Sequence, residues 1–257
     1  MLLLGLLSLA APFMLSGDPL ALDPANRLQA ASSAHWFGTD MYGRDVLTRL
    51  ISGARTSLAV GSSVALFAVV IGVFIGLVSG YIRSVDGVVM RVMDGLMAIP
   101  GILLAIALIA VAGANLLTVI VAITVPDVPR VVRLVRSLVL SVREEPYVEG
   151  AVAAGTRVPL ILLRHILPNT VAPLIVLASY LASSAILVEA SLSFLGAGLP
   201  PEIPSWGNMI AEGRIFLQLR PELVFLPGTL LGLTVLGINL LGDGLRDELD
   251  PQLKQRL

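Results

Sequence analysis

The chain has 257 residues, 56% of them hydrophobic and only 14% charged, with a formal net charge of −1. Soluble domains carry about a quarter charged residues, so composition places this chain in a membrane. The lack of a basic excess argues against nucleic acid as a partner. With no cysteine there is no disulfide or thiolate site, and His35 and His165 are too few for a histidine metal or catalytic cluster.

Met1 to Phe13 is apolar, and the first basic residue is Arg27. We read 1–16 as a first spanning helix whose basic lead-in is short or lies ahead of Met1, with a cleaved signal peptide as the alternative. Residues 17–55 form a polar extracytoplasmic stretch broken by Pro19, Pro24 and Gly43; its Arg44–Arg55 end is expected to pack at the outer mouth. Thr56 to Ile82 then runs 27 residues without a charge, enough for a second span. Gly72, Gly76 and Gly80 share one face of it. Small residues at that spacing let a neighbouring helix approach closely, and mere lightness of a glycine-rich chain is the other reading.

Arg83 to Asp94 is charged, with Val85, Val88, Val89 and Val92 at helical spacing, and reads as a helix lying on the membrane face. Gly95 to Pro126 is uncharged over 32 residues, roughly 48 Å of helix and too long for one span. A turn at Gly113–Asn115 would split it into two antiparallel helices, the second continuing past Asp127. That continuation holds Asp127 and Arg130 at membrane depth beside Pro126 and Pro129. Spaced three apart, the two charges share a helix face. They either line a pathway or accompany a structural kink.

Beyond Arg133 and Arg136 comes a polar-flanked amphipathic segment, Glu145 to Asn169. A short slim helix over Glu149–Arg157, lying parallel to the membrane, is expected from its alanines. Gly155 would permit a reversal or a close approach, and Pro168 fits the start of the next span. Thr170–Val188 is the fifth span, with Glu189 near its far end; Gly196–Pro221 reads as a polar loop. Leu223–Gly242 is the sixth span, with Asn239 a further polar residue inside it, and a charged tail follows. With six spans, eleven of the 17 basic residues fall on one side, which the positive-inside rule makes cytoplasmic, with both termini and the Glu145–Asn169 loop.

Within that loop Glu149-Gly150-Ala151, then Gly155, then, after nine residues, His165 and Leu167-Pro168 follow the spacing Glu-Ala-Ala, three residues, Gly, nine residues, Ile, any residue, Leu-Pro. This resembles the loop by which ABC-importer permeases grip their ATPases; Gly150 replaces an alanine and His165 an isoleucine. Three more stretches, His35–Arg55, Glu189–Gly196 with Pro204–Met209, and Asn239–Asp247, are similar to the peptide permeases of dipeptide and oligopeptide systems, and His165 matches their C-type subunit. The resemblance implies an all-α membrane protein with the type I importer permease fold: residues 56–257 a five-helix core, and 141–168 a cytoplasmic coupling loop using Glu149, Gly150, Ala151, Gly155, Arg157, His165, Leu167 and Pro168.

The partners it implies are a different homologous permease, one or two ATPase subunits, an extracytoplasmic binding protein and a peptide cargo, in the bacterial cytoplasmic membrane. Nickel and glutathione importers share the motifs, leaving the cargo open. No Gly-x-x-x-x-Gly-Lys-Ser/Thr phosphate loop occurs and Lys254 is the one lysine, so ATP and Mg²⁺ would sit on the partner ATPases and no cofactor on this chain. Catalytic constellations are absent: Asp40 with Asp45, and Glu144 with Glu145, read as solvated loop charges. Readings from other classes are an ion-coupled secondary transporter working through Asp127 or Glu189, a solvated loop without a partner, and a membrane scaffold without cargo. A lone secondary transporter is disfavoured by the lack of an internal repeat.

Overall fold

In a computed structural model the described residues are 18–249, and the expected first span lies outside them. Among the described residues, besides two short 3-10 turns, there are eight helices: α1 (Val46–Tyr81), α2 (Arg83–Ala98), α3 (Gly101–Ala112), α4 (Leu116–Val142), α5 (Pro146–Ala153), α6 (Val158–Phe194), α7 (Trp206–Gly213) and α8 (Glu222–Leu249). Among the described residues the one β-type pairing is an isolated bridge between Thr39 and Asp45.

Helix α1 begins ten residues before the uncharged run that marks it in the sequence. The Asp45 carboxylate caps it by accepting from the Thr48 N–H at 2.8 Å. Charge does not end the helix there because Arg49 is buried against two carboxylates. At 36 residues it is roughly 54 Å long, so its first turns extend beyond a hydrocarbon layer of about 30 Å.

The glycine stripe of α1 packs on α4. Methyl groups added at Gly76 and Gly80 would lie 2.7 Å from the Cβ atoms of Val135 and Val139, and one at Gly72 would overlap Val131. Close approach of two helices, not lightness, is the reason for these glycines. The valines are wholly buried and anchor the main core cluster, with Met93, Val148, Ile161, Ile166 and Leu181.

Helix α2 lies across the end of this pair. Val89 and Leu96 turn toward the core around buried Met93, while Val88 and Val92 stay exposed. It meets α3 at a 90° bend across Ile99–Pro100. The turn at Gly113–Asn115 forms as expected, with Asn115 capping α4 by accepting from the Thr118 N–H at 2.9 Å. Helix α3 starts six residues later than the apolar run and has only 12 residues, because Pro100 interrupts the ladder.

Six spans are the sequence expectation. Among the described residues three helices, α1, α6 and α8, are long and apolar enough to cross a membrane, or four counting α2 and α3 as one bent span. Helix α4 fails on composition because Asp127, Arg130 and Arg133 lie inside it. The 196–221 stretch, expected as a loop, contains α7, which packs Trp206 into the core and donates from its Nε1 to the Leu50 carbonyl at 3.0 Å. Ser183 on α6 donates to Asn239 Oδ1 on α8 at 2.8 Å.

Candidate functional site

Three places in the fold gather polar side chains: a surface helix, a cavity in the bundle and an ionic cluster at the opposite end of α1 from α2.

The surface helix is α5. Pro146 occupies its first turn, where a missing N–H is harmless. Of its eight residues only Val148 is buried, and it enters the main core cluster. Glu149 and Gly150 are exposed and Ala151 is half-buried, so a slim ridge faces outward on a single apolar peg. The helix starts three residues earlier and ends four residues earlier than the expected Glu149–Arg157 segment, leaving Arg157 exposed in the link to α6.

It ends early because Gly155 adopts φ +77°. The Gly155 N–H donates to Val152 O at 2.9 Å and the Thr156 N–H to Ala151 O at 3.0 Å, the bond pair of a Schellman stop. Gly155 is thus a reversal and not a close approach, since nothing lies within 4 Å of an added methyl.

Helix α6 follows at once and carries a π-helical turn over Leu162–Ile166. Leu167 and Pro168 come directly after it, with Pro168 in the first turn of the α-helical stretch Leu167–Phe194 as expected, although that stretch continues one helical run from Val158. A proline there would press its ring against the carbonyl four residues back, and the wider π turn relieves that clash. His165 sits in the turn half-buried, its Nδ1 enclosed without a partner among the described residues. The Asn169 side chain ties the turn to α5, donating to His165 O at 2.7 Å and to the Tyr147 hydroxyl at 3.2 Å.

The cavity, about 270 Å³, lies where the α2–α3 bend faces α4 and α6. Asp127 and Arg130 share its wall as a pair at 3.5 Å, with Ser184 and Val188 opposite and Ile99 and Gly101 at the bend. Arg130 also lies over the Tyr180 ring at 5.9 Å. Glu189 and Asn239 are elsewhere. Glu189 is wholly buried, its Oε1 accepting from Ser193 and Ser205 hydroxyls at 2.9 Å, and it fastens α7 to α6; Asn239 joins α6 to α8.

Residues 50–255 match the family described as binding-protein-dependent transport system inner membrane component. The chain belongs to that family. It is 57% identical over 251 residues to a probable peptide ABC transporter permease of Sinorhizobium fredii, covering 98% of this chain and 86% of the relative. A dipeptide transport system permease of Alkalihalophilus pseudofirmus is 45% identical over 97% of this chain and 82% of its own length. A glutathione transport system permease of Pectobacterium atrosepticum is 44% identical over 88% of this chain and 75% of its own. In fold the chain is similar to a chain of the inward-facing MetNI methionine ABC transporter, with TM-score 0.63 and 21% identity over 79% of this chain and 97% of that one. The all-helical, type I permease-like architecture expected from the sequence is therefore the one found.

In this inner-membrane transport component the ionic cluster is the part that sequence reading misses. Asp40 Oδ2 accepts from Arg44 Nε and from Arg49 Nη1, both at 2.6 Å, and Glu212 Oε2 accepts from Arg44 Nη2 and Arg49 Nη1 at the same distance. The four side chains lock 18–45 and the start of α1 onto α7. Arg220 adds a clasp, donating to the Leu28 carbonyl at 2.6 Å. Asp40 and Asp45, expected as solvated loop charges, are buried and half-buried, and both are engaged by neighbouring donors. The Asp40, Arg44 and Arg49 spacing hints at a local cluster, but Glu212 is 163 residues from Arg49 and carries no sequence signal of pairing.

Proposed function

We propose that this chain is the permease subunit of an ATP-driven importer of di- and oligopeptides. The observation that carries the reading is the near-full-length similarity to a probable peptide ABC transporter permease, at 57% identity. The chain spans the bacterial cytoplasmic membrane six times with both termini in the cytosol, counting 1–16 and α4 as spans and following the basic-residue asymmetry. It forms half of the translocation path with a homologous, different permease, and receives cargo from an extracytoplasmic binding protein.

One or two ATPase subunits dock on α5 and hold the ATP and Mg²⁺. A ridge with one buried residue, joined to a long helix through a glycine reversal, has the build of a coupling element: it offers Glu149, Gly150 and Arg157 outward and passes motion to α6 through Gly155, His165, Leu167 and Pro168. Glutathione is the alternative cargo, favoured by the similarity to glutathione transport system permeases.

The test is co-purification from native membranes followed by reconstitution with the recovered partners. Recovery of an ATPase and ATP-dependent uptake of a labelled dipeptide supports the reading. Uptake driven by an ion gradient without an ATPase refutes it, and uptake of glutathione alone replaces the cargo.

A further inference from the structure

Most buried charges among the described residues are tightly paired. Arg44 and Arg49 meet their carboxylates at 2.6 Å. Asp127 and Arg130 differ. They stand 3.5 Å apart beside about 270 Å³ of open volume, with Arg130 roughly half exposed and Asp127 largely covered. That volume is about nine times the ~30 Å³ share of a liquid water, near the low end of ligand sites. Ionisable groups at membrane depth persist where they face water or protein, and this pair faces the cavity.

We infer that this cavity is a transient binding site for the zwitterionic ends of a short peptide, with Asp127 taking the α-ammonium and Arg130 the α-carboxylate. The inference rests on the importer reading above. The cavity wall carries one charge of each sign, so a ligand with one of each can exchange the internal pair for two intermolecular pairs and strand no charge. A net cation would leave Arg130 repelling it, and a net anion would meet Asp127. A guanidinium takes a carboxylate through two parallel N–H donors, and an ammonium suits a single carboxylate.

The ends of an extended dipeptide lie about 7 Å apart, which requires Arg130 to swing from Asp127. Its half-exposed side chain is held otherwise by its contact with the Tyr180 ring, so it has the room. Ile99, Ile123 and Val188 supply an apolar wall for side chains of varied shape, as a carrier of mixed peptides needs. The Ser184 hydroxyl adds a polar contact.

Ser184 is also the reporter, because the chain has no cysteine of its own. The whole importer is reconstituted with Ser184→Cys, and alkylation of this chain by N-ethylmaleimide is followed by mass spectrometry. Ala-Ala should slow alkylation about threefold when two sites in three are filled. N-acetyl-Ala-Ala-amide at the same concentration should not, and Asp127→Asn or Arg130→Gln should each abolish protection.

Equal protection by both peptides, no protection, or a thiol that never reacts would overturn the site. If a charge variant fails to assemble, the contrast between the two peptides decides alone. Dipeptide uptake by the wild-type importer is measured alongside. Uptake without protection discards the cavity site and leaves the importer reading standing, whereas loss of both removes the reading and the site together.

Discussion

A methyl group added at Gly155 would meet no atom within 4 Å, so the penalty of a replacement lies in its φ of +77°. A β-branched residue in that conformation costs about 1–3 kcal/mol. Gly155→Val should shift the α5 stop while leaving the core intact, since only Val148 of α5 is buried. Combined with Glu149→Lys, which reverses an exposed charge, it should leave membrane insertion unchanged and sharply lower uptake and ATPase stimulation by loaded binding protein. Normal uptake in reconstituted vesicles would remove α5 from the coupling role. Asp86 gives a pH prediction. Hydrogen bonds from Arg136, one at 2.6 Å, hold its carboxyl below the usual carboxylate range against a smaller opposing effect of burial. A depressed folded-state pKa gives stability that is present above the unfolded value, about 3.9, and lost as pH falls through the folded one. Protection of α2 amides from hydrogen exchange should therefore hold at neutral and mildly acidic pH and fall in stronger acid. Asp86→Asn should lower it at neutral pH by about 1 kcal/mol or less.

Among the described residues helices meet by close backbone approach, by ion pairs at their ends and by polar side-chain bonds such as Ser183–Asn239. The α1–α4 contact is the first kind: Gly76→Val would force new methyls into Val135, already 2.7 Å from the position of an added Cβ. Overpacking of that sort costs about 1–3 kcal/mol, read as a lower melting temperature of the detergent-purified protein. An equal substitution at Gly87, where an added Cβ meets nothing within 4 Å, should be milder. The clasp of 18–45 onto α7 is the second kind. Arg49→Met leaves buried Asp40 and half-buried Glu212 with Arg44 as their remaining partner, and removing one member of a buried pair costs about 3–5 kcal/mol. Limited proteolysis should then cut within 18–45 while α5 stays protected and ATPase association persists. Loss of ATPase association instead would place this clasp on the cytosolic side.

Across the whole molecule, the 18–45 clasp with α7 gathers at one end and α2 with α5 at the other, joined by the long helices α1 and α6. The orientation proposed above puts the first end outside. Ser33 is exposed there and suits a single-cysteine reporter, whereas Ser205 is wholly buried against Glu189 and does not. In intact cells Ser33→Cys should react with an impermeant maleimide and Ser141→Cys, exposed beside α5, should not. The reverse pattern would invert the topology.

Composition and period determined much of this by themselves. Uncharged runs are long because hydrocarbon admits no unsatisfied backbone, so the membrane class and the apolar segments of α1, α6 and α8 could be read directly. Turn chemistry likewise marked Gly113–Asn115, because a turn depends on local φ and capping, whereas Gly155 was legible only as a reversal or a close approach and its φ of +77° decided for the reversal. Asp127 and Arg130 were paired by helical spacing alone. Tertiary structure decided what depends on partners far along the chain. Arg49 could extend α1 past the uncharged run only because Asp40 and Glu212 meet it there. The choice between close packing and lightness for the α1 glycines was made by Val131, Val135 and Val139 on another helix. The cavity beside Asp127 exists because the chain bends 90° at Ile99–Pro100 and brings that corner against α4 and α6, a juxtaposition that no local pattern encodes.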